Sequence, residues 1–218
     1  MAGLGFARAD TVEDITAENP RAAKIVLDNE HVRAVEFTLK PGQSLPMHKG
    51  QPRAVYSLSD YKILWTEGET AATERTWEKG EVHWHDAVPH AVENVGATTA
   101  RYLVVSRKET TLPSIAPYRL ADDAASVDPR HAAVVFENDD VRVTDVRIPV
   151  GEGLPAHDGG YRVIYSLSSY TIKYQSDKTG TQATRWKPGM AHWHEPDEHS
   201  VENAGNSFVH YVIFAFKR

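Results

Sequence analysis

The chain has 218 residues, with 24 Lys plus Arg against 30 Asp plus Glu, 11 His and no Cys, for a formal charge of −6. The missing cysteines exclude disulfides, thiolate nucleophiles and every Cys-ligated zinc or iron–sulfur site, so a transition-metal site must draw on His, Asp or Glu. Mild acidity argues against nucleic acid as a partner, because phosphate binding needs a concentrated basic patch.

The first ten residues, Met1 to Asp10, carry neither the basic start nor the long apolar stretch of a secretory leader, so a cytoplasmic location is expected. No apolar run approaches the ~18 residues of a membrane span. After a weakly patterned arm, strands are predicted at 24–27, 31–39, 53–58, 61–66, 73–77, 81–85, 90–95 and 100–107. They are short and rich in Val, Tyr, Trp, Thr and Ile, and His31 to Leu39 alternates most clearly. Turn signals separate them at Asp28-Asn29-Glu30, Pro41-Gly42, Lys79-Gly80 and Val95-Gly96. Strands spaced about 8–12 residues apart predict an antiparallel sandwich or barrel. The stretch 109–130 contains Pro113, Pro117 and Pro129 among small and acidic residues and reads as a linker, with a short helix near Leu120-Ala121-Asp122-Asp123.

Beyond the linker the pattern repeats. Residues 24–108 match the residues 109 places later without a gap, and about a third are identical. Tyr56-Ser57-Leu58-Ser59 recurs as Tyr165-Ser166-Leu167-Ser168, His83-Trp84-His85 as His192-Trp193-His194, and Val92-Glu93-Asn94 as Val201-Glu202-Asn203. The chain is a tandem duplication. Its expected domains are 1–112 and 113–218, with 113–130 as the linker.

The shared residues resemble the two motifs of the cupin superfamily. Gly42 precedes His48 by six positions, as Gly151 precedes His157. Gly80 leads to His90 and Asn94, as Gly189 leads to His199 and Asn203. The resemblance spans nearly the whole chain twice. It implies an all-β protein of two tandem double-stranded β-helix (jelly-roll) barrels, a bicupin, with a ligand or metal site in each mouth. The segment from Trp84 through His90 to Gly96 is also similar to small cupins of the β-alanine-degradation type.

The family's usual ligand set is three His and one Glu, and this chain departs from it. Gly50 and Gly159 replace the second His of the first motif, and Arg53 and Arg162 stand at or beside the Glu position. Both halves instead add His-Trp-His on a strand, where residues i and i+2 share a face. With the histidines inward, each barrel offers four imidazoles: His48, His83, His85 and His90, and His157, His192, His194 and His199. Neutral imidazole suits Zn, Ni, Cu or Fe(II), and the expected cofactor is a divalent transition metal such as Zn, Ni, Fe or Mn. The expected metal ligands are His48, His85 and His90 in one half and His157, His194 and His199 in the other.

Substrate contact is expected from His83, His192, Arg53 and Arg162. The arginines either fork an anionic group of the ligand or pair with a nearby Glu such as Glu93 or Glu202. Trp77, Trp84, Trp186 and Trp193 read as packing or interface residues, and Asn94 and Asn203 as turn residues. His31, His131 and His210 fit no constellation. The sequence has no Gly-x-Gly-x-x-Gly, P-loop, His-Glu-x-x-His or Gly-x-Ser-x-Gly motif. These readings leave two functions open. One is a metal-dependent enzyme of dioxygenase, isomerase or lyase type acting on a small carboxylated metabolite. The other is a metal-free protein that binds or senses a small anion. The expected partner is a small, anionic molecule, with no nucleic acid or membrane, in a monomer or homodimer.

Overall fold

A computed structural model describes residues 14–108, 112 and 119–217. Two compact units divide the chain: Met1–Ile25 with Val32–Lys108, and Val26–His31 with Glu109–Arg218. The strands of the first half are β1 (Ala23–Asp28), β2 (Val32–Leu39), β3 (Ser44–His48), β4 (Arg53–Ser57), β5 (Tyr61–Glu67), β6 (Thr73–Trp77), β7 (Val82–His85), β8 (His90–Asn94) and β9 (Ala100–Arg107). They form two sheets, ordered β1-β2-β9-β4-β7 and β3-β8-β5-β6.

In the second half the strands are β10 (Ala132–Glu137), β11 (Val141–Ile148), β12 (Gly153–Gly159), β13 (Arg162–Ser166), β14 (Tyr170–Ser176), β15 (Gly180–Trp186), β16 (Ala191–His194), β17 (Asp197–Asn203) and β18 (Val209–Phe216). Their sheets run β10-β11-β18-β13-β16 and β12-β17-β14-β15. The order repeats strand for strand, and the β2 and β4 bounds recur 109 residues later as β11 and β13. The helical content among the described residues is small. It comprises α1 (Ile15–Glu18), a 3-10 turn at Leu120–Asp122 and α2 (Ala124–Val127), whose first turn is capped by Asp123 accepting from the Ser126 N–H.

The period-2 pattern decides which side chains enter each barrel. On β5, Tyr61, Ile63 and Trp65 are buried while Lys62, Leu64 and Thr66 are half-buried. Tyr61, Ile63 and Trp65 join Phe37, Leu39, Leu45, Val55, Val92 and Tyr102 in one core. Tyr170, Ile172, Leu154, Ile164, Val201 and Tyr211 build the matching core of the other half.

Strand β3 lies between predicted elements, since Pro41 and Pro46 mask it in the sequence. It pairs with β8 through a register shift between Leu45 and His48, which accommodates Pro46 in the strand. That shift sets His48 directly across from His90, and β12 does the same for His157 and His199. From the facing sheets, β4 and β7 pair Arg53 with His85 and Val55 with His83. In the second half, β13 and β16 pair Arg162 with His194 and Ile164 with His192.

Candidate functional site

Arg53 opens β4, and only 4% of its surface is exposed. Its Nη1 donates to the carbonyls of Gln51 (2.9 Å) and Asp86 (3.2 Å). Its Nη2 lies 3.3 and 3.1 Å from the two ring nitrogens of His90. Among the described residues no carboxylate reaches ion-pairing distance of this guanidinium. Gly50 makes room for it, because a Cβ there would collide with Nη1 and come within 2.9 Å of the Val88 carbonyl.

The histidines surround this cation with specific partners. His48 Nδ1 donates to the Pro46 carbonyl (2.8 Å), and its ring centroid lies 4.1 Å from that of His90. Trp65 stacks on both His85 (4.3 Å) and His90 (4.4 Å). His83 stacks on Trp77 at 3.8 Å and shares a 2.8 Å contact between its Nδ1 and His85 Nε2. Beyond it runs a chain through Tyr61 Oη (3.4 Å from His83 Nε2) to Ser57 Oγ (3.3 Å). Trp84 takes the other face, where its Nε1 donates to Asp86.

Burial pushes these imidazoles down, and the charges of Arg53 and Arg75 push most of them further. His83 and His85 fall to about 3, and His48 and His90 are lowered too. All four are neutral at pH 7. Burial also lowers Arg53 to about 10, which leaves it charged.

The second half repeats the cation and then neutralises it. Arg162 is 2% exposed, and a Cβ at Gly159 would collide with its Nη1. Its Nη2 donates to Tyr174 Oη (2.9 Å) and to Asp197 Oδ1 (2.9 Å). Tyr174 Oη donates in turn to Asp197 Oδ2 at 2.5 Å, and His199 Nδ1 lies 3.1 Å from Oδ1. Burial opposes ionisation of Asp197. The His199 hydrogen bond, the Arg162 charge and the Tyr174 hydroxyl outweigh it and hold the carboxyl far below the ordinary range. Burial also brings His192 to about 3 and His199 to about 4, and lowers His157 and His194. Arg162, Tyr174, Trp186, His192, His194 and Asp197 help line a cavity of about 400 Å³, within the ~300–1,000 Å³ range of small-molecule sites.

No protein-family model matches the chain, and no curated protein does. Solved structures do resemble it. AerE from Microcystis aeruginosa aligns over 90% of this chain and 98% of its own, with a TM-score of 0.61 at 14% identity. An oxalate decarboxylase variant from Bacillus subtilis aligns over 96% of this chain and 74% of its own, with a TM-score of 0.63 at 12% identity. A cupin 2 conserved barrel domain protein from Leptotrichia buccalis aligns over 89% and 88%, with a TM-score of 0.52 at 15% identity.

The fold is the cupin fold. Each half is one cupin barrel, and no helix of the described residues is long and apolar enough to cross a membrane.

A cupin barrel raises the question of a metal, and the donors present do not fit one. Among the described residues no three His, Asp or Glu side chains are grouped to hold a metal ion. Of the expected trio, His48 lies against His90, while the Trp65 ring stacks on both His85 and His90. In the other barrel His157 lies against His199, and Tyr174 stacks on His199 and meets His194 at a tilt. A permanent cation also contacts the motif histidine of each barrel. Its charge opposes a divalent ion beside it.

The remaining expectations resolve individually. Arg162 does pair with an acid, but the partner is Asp197, while Glu93 and Glu202 are exposed. His83 and His192 stack on Trp77 and Trp186, and those two tryptophans pack against the barrel cores, the packing role expected of them. His131 bridges Asp128 (2.8 Å) and Glu152 (2.9 Å), and His210 contacts Asp145 (2.8 Å).

Sequence reasoning missed Trp65, Tyr174, Asp197 and Arg75. All four differ between the halves: Trp65 answers to Tyr174, Val88 to Asp197, and Arg75 to Thr184. Comparing the repeats for differences, as well as for identities, would have found them.

Proposed function

We propose that this chain is a metal-independent cupin that binds a small carboxylate at Arg53 in its first barrel. The observation that carries this reading is the buried guanidinium with no carboxylate partner among the described residues. A guanidinium does not shed its proton, so burial leaves a charge that an anion must compensate. The surrounding imidazoles are neutral and supply no negative charge. Arg75 reinforces the positive field, with its guanidinium carbon 5.3 Å from the Trp65 ring centroid. Trp65 Nε1 is buried and has no hydrogen-bond partner among the described residues, which leaves a neutral donor open beside the cation.

The metal-dependent reading draws on the fold, and one of the oxalate decarboxylase structures concerns Mn(II) centres in that enzyme. The donor arrangement here supports binding without metal better.

Titration calorimetry of the full chain with acetate, oxalate and malonate, and with malonamide as an uncharged control, tests the proposal. At least one carboxylate should bind, malonamide should not, and Arg53→Met should weaken binding at least tenfold. Equal binding by Arg53→Met would refute it. Protein loaded with Mn(II) or Zn(II) and then desalted should retain less than a tenth of an equivalent by elemental analysis. Retention of a full equivalent that falls in His48→Ala would restore the metal reading.

A further inference from the structure

The two barrels share the buried arginine but not its surroundings. In the second barrel the Asp197 carboxylate binds Arg162 through one oxygen and accepts from Tyr174 through the other. In the first barrel valine stands at that position and tryptophan at the tyrosine position. There, among the described residues, the guanidinium has no carboxylate at ion-pairing distance and the Trp65 Nε1–H has no acceptor. Trp77 Nε1 is likewise unpartnered, as is its counterpart Trp186 Nε1 in the second barrel; the guanidinium and Trp65 are the unmet groups that stand where Asp197 meets Arg162 and Tyr174 in the second.

We infer that residue 88 in one barrel and residue 197 in the other set ligand charge, so that the first barrel takes an anion and the second excludes anions. Asp197 is a built-in substitute for the carboxylate that the first barrel draws from solution. An incoming anion in the second barrel would meet an arginine already paired with Asp197, so no net positive charge draws it and it must compete with that carboxylate for the guanidinium. The cavity left there suits an uncharged molecule. Its walls mix aromatic residues such as Tyr170, Tyr174 and Trp186 with polar ones, and it keeps two buried polar atoms without partners among the described residues, Trp186 Nε1 and His192 Nδ1. An uncharged ligand with a hydrogen-bond acceptor satisfies the indole N–H without disturbing the Arg162–Asp197 pair.

This inference rests on carboxylate binding at Arg53, and the test separates the two. The full chain is titrated with the same three carboxylates in wild-type, Val88→Asp, Asp197→Val and Asp197→Asn forms, each checked for a cooperative melt. Wild type should bind one equivalent. Val88→Asp adds an internal partner for Arg53, so it should stay folded and bind at least tenfold more weakly. Asp197→Val should gain a second equivalent. Asp197→Asn keeps the side-chain size and should gain the same site more weakly if the valine variant does not fold. No binding by wild type overturns the functional reading itself. One equivalent in wild type that is unchanged in Val88→Asp, or two equivalents in wild type, overturns the assignment of charge preference while leaving that reading in place.

Discussion

At the scale of single residues, glycine and arginine form a linked pair. Gly50 lacks a side chain because Arg53 Nη1 fills the space where one would go. Gly50→Ala should destabilise the protein by ~1–3 kcal/mol, the usual cost of overpacking. It should also displace Arg53 and weaken carboxylate binding. Gly42 gives the contrast. Its φ is +77° and nothing lies near its missing Cβ. Gly42→Ala should cost ~1 kcal/mol through backbone strain alone and leave binding unchanged. Urea unfolding and calorimetry on both variants check this, and loss of binding in both would remove the steric account. The Gly and Arg were legible in the sequence because both halves carry them. The consequence was not, because a steric dependence between positions 50 and 53 appears only when the chain is folded. Trp65 and Asp197 were hidden for the opposite reason, since each occurs in one half only.

At the scale of elements, the sheets hold together partly through one amide. Asn94 ends β8 and is fully buried. Its Nδ2 donates to the carbonyls of Leu39 and Thr98, both at 2.8 Å, and its Oδ1 accepts from Gly96 N. Leu39 closes β2 in the other sheet, so this side chain ties the two sheets of the barrel. Asn203 repeats the pattern with Ile148, Ser207 and Gly205. Asn94→Ala leaves buried carbonyls unpaired and should cost ~2–3 kcal/mol. Asn94→Asp should cost more, because a carboxylate would face two carbonyl oxygens in a buried site. Urea midpoints decide the order, and an aspartate variant as stable as wild type would contradict it. Reading Asn94 as a turn residue captured its contact with Gly96 and missed the one with Leu39, 55 residues away in sequence. The same limit applies to strands. Alternation revealed β2 and β5, whereas β3 carries Pro46 and was visible only through its pairing with β8.

At the scale of the whole molecule, duplication places eight neutral imidazoles in barrel interiors. The folded-state values, about 3 for His83, His85 and His192 and about 4 for His199, lie well below the ~6.5 of free imidazole. His48, His90, His157 and His194 are lowered in the same direction. Between the folded and unfolded values the unfolded chain binds more protons, so stability rises with pH in that window. The contribution is complete above about pH 7 and is lost progressively as pH falls from ~6.5 towards 3. Asp197 also favours the folded state, but its loss begins only near the ordinary carboxylate range. The interval from pH 6.5 to 4.5 therefore reads mainly the histidines. The thermal midpoint should fall steeply across it, and His83→Leu with His192→Leu should flatten the slope. A midpoint constant from pH 7 to 4.5 would mean that the imidazoles are solvated rather than enclosed, and the placement of all eight inside the barrels would be wrong.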